Sequence, residues 1–177
     1  LLEQGRAMVA PPLDRVVIGV DPSGAEDEDS GGNEIGVVAV GFSSFEQKAY
    51  VVGDHSLRAG PDGWARAVVA AYHAHKADMV VAERNYGGEM VRHTIHTADR
   101  NVPVKLVTAS RGKAVRAEPV SMLYEQNRVS HVGLWPELED QMCNWVPPRP
   151  GERTQDSPDR MDALVWLITD LLLGTHP

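Results

Sequence analysis

The segment Arg15–Asp21, with the sequence RVVIGVD, constrains the fold of this chain more than any other. Nearly all of its residues are apolar and several are β-branched, without the polar alternation of a strand that faces water on one side. Such a run is typical of a central strand that is buried on both faces. It ends at Asp21-Pro22, and the chain is therefore expected to build a sheet that is covered on both sides.

The residues that follow complete the first third of the chain. The polar, glycine-containing stretch Ser23–Asn33 is predicted to be a loop. Ile35–Phe42 and Lys48–Asp54 are predicted to be strands joined by a short turn, so the first three strands form an antiparallel meander. Pro61–Lys76 has apolar residues at helical spacing and a proline that suits a first turn, which predicts a helix after the meander.

The later segments alternate between strand and helix. The predictions are a strand over Asp78–Glu83, a helix from Glu89 to about Asp99 and a strand over Val102–Thr108. A helix is predicted within Lys113–Gln126, where Pro119 either starts or kinks it and Asn127 caps it in the left-handed conformation. An irregular connection over Val146–Asp156 follows, and then a last helix with Ser157 as N-cap. Together they predict an α/β fold with a mixed five-stranded sheet, a three-strand antiparallel meander plus two parallel strands, and helices on both faces.

Composition limits the class of protein further. A chain of 177 residues with 42% hydrophobic residues fits one compact domain. The single cysteine, Cys143, excludes an internal disulfide framework and a cysteine-based zinc site, and fits a reducing compartment. No apolar run reaches the roughly 18 residues of a membrane span, and no signal peptide is visible in residues 1–12.

The charge is unevenly distributed along the chain. The net charge of −8 argues against a protein that coats nucleic acid through bulk positive charge. Residues 100–131 nevertheless carry six Lys and Arg against two Glu, a local balance of +4. This basic stretch indicates either a localised anionic partner or a solvated helix face. Its cations are Arg100, Lys105, Arg111, Lys113, Arg116 and Arg128.

Acidic residues occupy the ends of three predicted elements. Asp21 ends the first strand, Glu83 ends the fourth, and Asp159 and Asp162 lie in the first turns of the last helix. If the first and fourth strands are parallel neighbours, their carboxyl ends meet where open α/β sheets bind ligands. Gathered carboxylates repel one another unless a cation or protons neutralise them, and oxygen ligands favour Mg²⁺ or Mn²⁺. The arrangement therefore indicates a centre for two-metal phosphoryl transfer to water.

Each acid also has a simpler interpretation. Asp21 before Pro22 is a common turn element, Glu83 and Arg84 could form a strand-end ion pair, and acids in a first helical turn complement the helix dipole. The histidine pairs His73/His75 and His93/His96 have no further ligands with them, and are predicted to be surface or half-buried residues. A P-loop for ATP is not encoded in this chain.

Four motifs resemble those of the C-terminal nuclease domain of tailed-phage large terminase subunits, in the RNase H-like superfamily. They are LDRVVIGVDP at 13–22, AERNYGG at 82–88, KAVRAEP at 113–119 with YEQNRV at 124–129, and SPDRMDAL at 157–164. The resemblance covers Asp14–Leu172. It implies that Asp21, Glu83 and Asp162 are catalytic and bind two divalent cations, Mg²⁺ or Mn²⁺, to cleave double-stranded DNA. By similarity to Holliday-junction resolvases, Asp159 is a candidate fourth ligand.

The resemblance also implies partners. An N-terminal packaging ATPase would precede this chain, with residues 1–12 as the end of the interdomain linker and residues 13–177 as the nuclease domain. The small terminase subunit and the portal protein would assemble with it in the host cytoplasm. Lys113 and Arg116, with Arg111 and Arg128, are predicted to contact DNA phosphates. A junction resolvase or transposase-like nuclease on the same fold, and a non-catalytic DNA- or partner-docking domain, remain alternatives.

Overall fold

The structure is a computed structural model that describes residues 1–22, 34–84, 89–108, 112–147 and 158–174. Its strands are β1 Arg15–Asp21, β2 Glu34–Ser43, β3 Lys48–Asp54, β4 Leu57–Arg58, β5 Met79–Glu83, β6 Val104–Val107 and β7 Val129–His131. Its helices are α1 Pro61–Ala74, α2 Glu89–Ala98, α3 Lys113–Glu125, α4 Pro136–Asn144 and α5 Asp159–Leu172.

The strands form one mixed sheet in the order β6-β5-β1-β2-β3-β7, with β4 paired to β2. The meander β1–β2–β3 is antiparallel, whereas β5 is parallel to β1 and β6 is parallel to β5. This confirms the predicted fold class. The sheet has seven strands rather than the predicted five, because β4 and β7 are too short, at two and three residues, to show a hydrophobic period.

Helices cover both faces of the sheet, as predicted. Ile18 and Val20 of β1 belong to the core on one face, with α1 and α2, whereas Val17 belongs to the core on the other face. That second core contains residues of α3, α4 and α5. The alternation of Val17 and Ile18 between two buried layers explains why β1 is apolar throughout.

Helix α5 lies directly on β1 and β2. A Cβ atom added to Gly19 would lie 2.6 Å from Cγ of Leu167, and one added to Gly36 would lie 2.0 Å from the carbonyl oxygen of Asp159. Glycine at these two positions therefore allows the close approach of helix and sheet. Asp21, at the carboxyl end of β1, is the register partner of Gly36 in β2. The contact of α5 with Gly36 therefore brings the first turn of α5 to the carboxyl end of β1.

The remaining differences concern α3, α4 and the start of α5. Helix α3 begins at Lys113, so Pro119 lies inside it rather than starting it, and Asn127 has the expected positive φ of 55°. Helix α4 was not predicted, because only Leu138 of its nine residues is buried. The predicted loop Ser23–Asn33 and the N-cap Ser157 lie outside the described residues.

Residues 1–12, expected to be a linker, contact the rest of the domain, with Ala7 on β7 and Arg6 on α4. Ala7 forms a parallel bridge with Val132, and its amide donates to the carbonyl of His131 at 2.8 Å. Arg6 donates to the carboxylate of Glu139 in α4 at 2.8 Å. Across the described ranges of the chain, the helices are all too short or too polar to cross a membrane.

Candidate active site

The centre of the candidate site is the pair of acids that end β1 and β5. The two strands are parallel, and Val20 pairs with Ala82, so Asp21 and Glu83 are the next residues of each strand at the same edge of the sheet. Both side chains are buried, although carboxylates are rarely buried without a partner. The structure therefore brings together the two strand-end acids that the sequence predicted as neighbours.

The first turn of α5 adds two more acids to this edge. Asp21, Glu83, Asp159 and Asp162 are between 1% and 5% exposed, which leaves almost no contact with water. Burial, followed by the charge of Asp162, raises the pKa of Asp21 well above its ordinary value. Asp159 and Asp162 lie in the first turn of α5, where they complement the helix dipole as the simpler interpretation expects, but both are buried at the sheet edge rather than exposed to water.

Two cations of α3 face these acids. The ammonium of Lys113 forms an ion pair with Oδ2 of Asp162. The guanidinium of Arg116 stacks 4.2 Å from the ring centroid of Trp166, with Nη1 3.8 Å from Oε2 of Glu83. The indole of Trp166 donates to the same carboxylate oxygen at 3.0 Å, so Glu83 is held from two sides.

The other predicted phosphate contacts are not gathered here. Arg128 donates to the carbonyl of Gln47 at 2.6 Å, and it lies just before β7. Because β7 and β1 run in the same direction through the sheet, Arg128 lies at the edge opposite Asp21. Arg111 lies outside the described residues. Lys105 pairs with Asp170 of α5 at 2.6 Å, so the basic stretch of the sequence is not one continuous surface.

The donor set suits a hard divalent cation by its chemistry. It consists of carboxylate oxygens, and Oδ1 of Asp21 is buried without a hydrogen-bond partner among the described residues. In the described ranges, no three His, Cys, Asp or Glu side chains lie close enough as they stand to hold one ion. The positive charge beside these carboxylates comes from Lys113, which pairs with Asp162, and Arg116, which pairs with Glu83.

Arg160 is a buried cation that holds the first turn of α5 in place, and the sequence analysis did not single it out. It lies between Asp159 and Asp162 and is 8% exposed. Its guanidinium donates to Asp54 of β3 and Glu34 of β2, each at 2.7 Å, and Glu137 of α4 lies at 2.8 Å.

The side chain of Gln141, in α4, holds the same turn. Its Oε1 accepts the backbone amides of Arg160 at 3.1 Å and Met161 at 3.2 Å. These bonds fix the start of α5 relative to the sheet and α4. The sequence feature that could have identified Arg160 is its position in a first helical turn, where the helix dipole disfavours a positive charge.

Among the described residues, the contacts of the predicted histidine pairs do not include the four acids of the candidate site. His93 is exposed, His96 is half-buried and donates to the carbonyl of Val102 at 2.9 Å, and His73 pairs with Asp99 at 3.0 Å. His75 lies against His55, with their Nε2 atoms 2.7 Å apart. The prediction that these are surface or half-buried residues is confirmed.

A sheet of this order, with buried acids at the ends of β1 and β5 and at the start of the last helix, defines an RNase H-like architecture. A family model for the terminase RNase H-like domain matches residues 18–171. The chain therefore belongs to the terminase RNase H-like domain family, as its motifs predicted.

Solved structures have the same fold at low identity. The large terminase of a thermophilic bacteriophage, in complex with ADP, superposes with a TM-score of 0.70 at 11% identity, over 94% of this chain and 42% of that chain. The P22 large terminase nuclease domain gives 0.65 at 12%, over 94% and 87%.

The nuclease domain of the bacteriophage SPP1 large terminase, solved with bound Mn, gives a TM-score of 0.59 at 12% identity, over 92% of each chain. This chain thus spans less than half of the thermophilic phage's large terminase but nearly all of the separate nuclease domains. No curated protein sequence matches it significantly.

Proposed function

We propose that this chain is the metal-dependent endonuclease domain of a viral DNA-packaging terminase, which cleaves concatemeric double-stranded DNA. The observation that carries the proposal is the convergence of four buried carboxylates on one edge of the sheet. Such a concentration of negative charge is costly to bury unless cations compensate it. The SPP1 domain, which has the same fold, was solved with bound Mn.

In this proposal Asp21, Glu83 and Asp162, with Asp159 as a fourth ligand, hold two Mg²⁺ or Mn²⁺ ions. When bound, these ions activate water and stabilise the leaving oxygen of a phosphodiester. Trp166 orients Glu83 through its indole hydrogen bond. Lys113 and Arg116 lie beside the carboxylates, where a scissile phosphate would enter, and their charge suits its non-bridging oxygens.

The proposal includes the rest of a terminase. The thermophilic phage's large terminase, of which this chain covers 41%, was also solved in complex with ATP-gamma-S. We propose that an ATPase domain precedes residue 13 in the same polypeptide and that residues 1–12 belong to the linker. The small terminase subunit and the portal protein are the proposed partners during packaging in the host cytoplasm.

Cleavage of supercoiled plasmid tests the proposal. The chain with Mn²⁺ is expected to produce nicked and linear DNA, and Asp21→Asn is expected to abolish cleavage, since Asp21 lies at the centre of the acids. Asp62→Asn is the matched control, because Asp62 is an exposed acid of α1 that pairs only with Arg66 among the described residues. An absence of cleavage by the unmodified chain, or equal cleavage by Asp21→Asn, would refute the nuclease.

A junction resolvase is the second candidate, because both acids of its D-x-x-D pattern, Asp159 and Asp162, are buried at the site. The same assay with a four-way junction and a linear duplex of equal length separates the two. A terminase nuclease is expected to cut both, whereas a resolvase is expected to cut the junction alone. For a non-catalytic docking domain, calorimetry with Mn²⁺ would show no binding that depends on Asp21.

A further inference from the structure

A large open groove lies next to the acidic centre, on another side of α3. It has a volume of about 960 Å³, and its walls come from residues 1–3, α3, α4 and α5. The walls are mainly apolar, with Val115 from α3, Met142 and the adjoining Trp145 from α4, and Met161 and Leu164 from α5. None of the four acids of the candidate site lines this groove, so it is a separate surface.

The groove keeps apolar surface in contact with water. Val115, an apolar side chain that lines the groove, is 49% exposed. The indole nitrogen of Trp145 is buried and has no hydrogen-bond partner among the described residues. Met142, which is half-buried, provides a flexible side chain that adapts well to an apolar partner. An exposed apolar groove with these properties is typical of an interaction site.

The charge of the groove has one sign. Among the described residues that line it, the charged side chains are Glu3, Glu118, Glu139 and Asp140. Arg6 compensates Glu3 and Glu139, whereas Glu118 and Asp140 are exposed and form no ion pair with described residues. A negative rim repels DNA, an anionic membrane surface and acidic peptides. It attracts a partner that carries Lys or Arg beside its apolar residues.

The secondary structure around the groove selects the shape of that partner. The main walls are the three helices α3, α4 and α5, which offer side chains rather than unpaired strand groups. An added strand would need a free sheet edge, whereas an amphipathic helix needs only apolar contacts for its residues at i, i+3, i+4 and i+7. We propose that the groove binds an amphipathic helix of a partner protein, with its apolar face on α3, α4 and α5 and its Lys or Arg next to Glu118 and Asp140.

A pair of designed peptides tests this proposal in the absence of DNA and metal. The first is an 18-residue fluorescent helix with leucine at i, i+3, i+4 and i+7 and lysine along both flanks, and the second has glutamate in place of each lysine. Fluorescence anisotropy is expected to show binding of the basic peptide at least about tenfold tighter than the acidic peptide, with the difference decreasing as salt rises. Equal binding of both peptides would overturn the proposal.

Two substitutions on α3 form a matched pair. Val115→Lys places a charge in the groove, whereas Met122→Lys changes a similarly exposed residue, at 53%, that does not line it. Val115→Lys is expected to weaken the basic peptide at least about tenfold and Met122→Lys to leave it within about twofold, with both variants checked for folding by circular dichroism. The double variant Glu118→Lys, Asp140→Lys is expected to reverse the preference between the peptides.

The occupant could instead be a second copy of the chain. Sedimentation analysis without peptide is expected to show a monomer. A dimer that Val115→Lys dissociates and Met122→Lys does not would overturn the proposal of a partner helix. Because none of these measurements uses cleavage or Mn²⁺, they are independent of the proposed nuclease activity.

Discussion

Replacing Arg160 with methionine tests how the first turn of α5 is held. Methionine keeps an unbranched chain of similar length but removes every hydrogen bond of the guanidinium. Its partner carboxylates differ in exposure: the side chain of Asp54 is 6% exposed, that of Glu34 is 23% exposed and that of Glu137 is 74% exposed. The variant therefore leaves the charge of Asp54 buried without its cation, with only the hydrogen bonds from Ser56 remaining among the described residues, whereas Glu137 is already largely hydrated.

The size of the effect follows from this difference. Removing one partner of a buried ion pair costs about 3–5 kcal/mol, whereas an exposed pair contributes about 0–1 kcal/mol. With one buried carboxylate, one half-buried and one exposed, we expect Arg160→Met to lower the free energy of unfolding by about 3 kcal/mol, the low end of the buried range. Arg160→Lys keeps the charge but loses the planar fork, and a loss of about 1–2 kcal/mol is expected.

Urea unfolding followed by tryptophan fluorescence measures these losses. Arg66→Met is the matched control, because Arg66 pairs with Asp62 in an exposed i,i+4 arrangement on α1. It is expected to change the free energy of unfolding by less than about 0.5 kcal/mol. If Arg160→Met cost no more than Arg66→Met, the network would not hold α5, and the burial of Asp159 and Asp162 would need another explanation.

Two further predictions concern Gly36 and His131. Gly36→Ala is expected to lower the free energy of unfolding in urea by about 3 kcal/mol or more, since its Cβ would overlap the carbonyl of Asp159. Gly60→Ala, at the N-cap of α1 with open space around it, is expected to cost no more than about 1 kcal/mol. Equal effects would contradict the close approach of α5. Burial lowers the pKa of His131, so the unfolded chain binds the proton more readily and stability is lost as the pH falls below about 6.5. The urea midpoint is expected to be constant from pH 8 to 7 and to decrease towards pH 5, with a smaller decrease in His131→Asn. His55 and His75, whose pKa values burial also lowers, retain part of the slope, and an unchanged slope in the variant would exclude His131 as a source.

The central strands could be predicted because each carries its own signal. β1 and β3 have the predicted bounds, since an apolar run and its ending residues are local features. β7 has three residues, and its existence depends on pairing with β3, whose partner residues lie 80 positions earlier in the chain. A pairing partner that distant leaves no periodic pattern in so short a segment.

The candidate site likewise contains one part that the sequence could predict and one part that it could not. The meeting of Asp21 and Glu83 follows from parallel strands ending at one edge, which is a rule of topology. The contacts of Arg160 could not be predicted, because they join β2, β3, α4 and α5, which are separated by up to 126 residues. Sequence patterns identify residues that share an element, whereas this network exists only after the elements have packed.

The basic stretch was expected to face an anionic partner or water, but half of its cations form ion pairs within the domain. Lys113 and Arg116 face Asp162 and Glu83, and Lys105 faces Asp170, so three of the six cations compensate acids inside the domain. Four carboxylates against Lys113 and Arg116 leave the centre with an excess of negative charge, and burial, followed by the charge of Asp162, raises the pKa of Asp21 well above its ordinary value. A centre that repels DNA phosphates in this form becomes attractive when divalent cations add their charge. Under the proposed function, affinity for DNA therefore depends on the ions at the acidic centre more than on the net charge of −8.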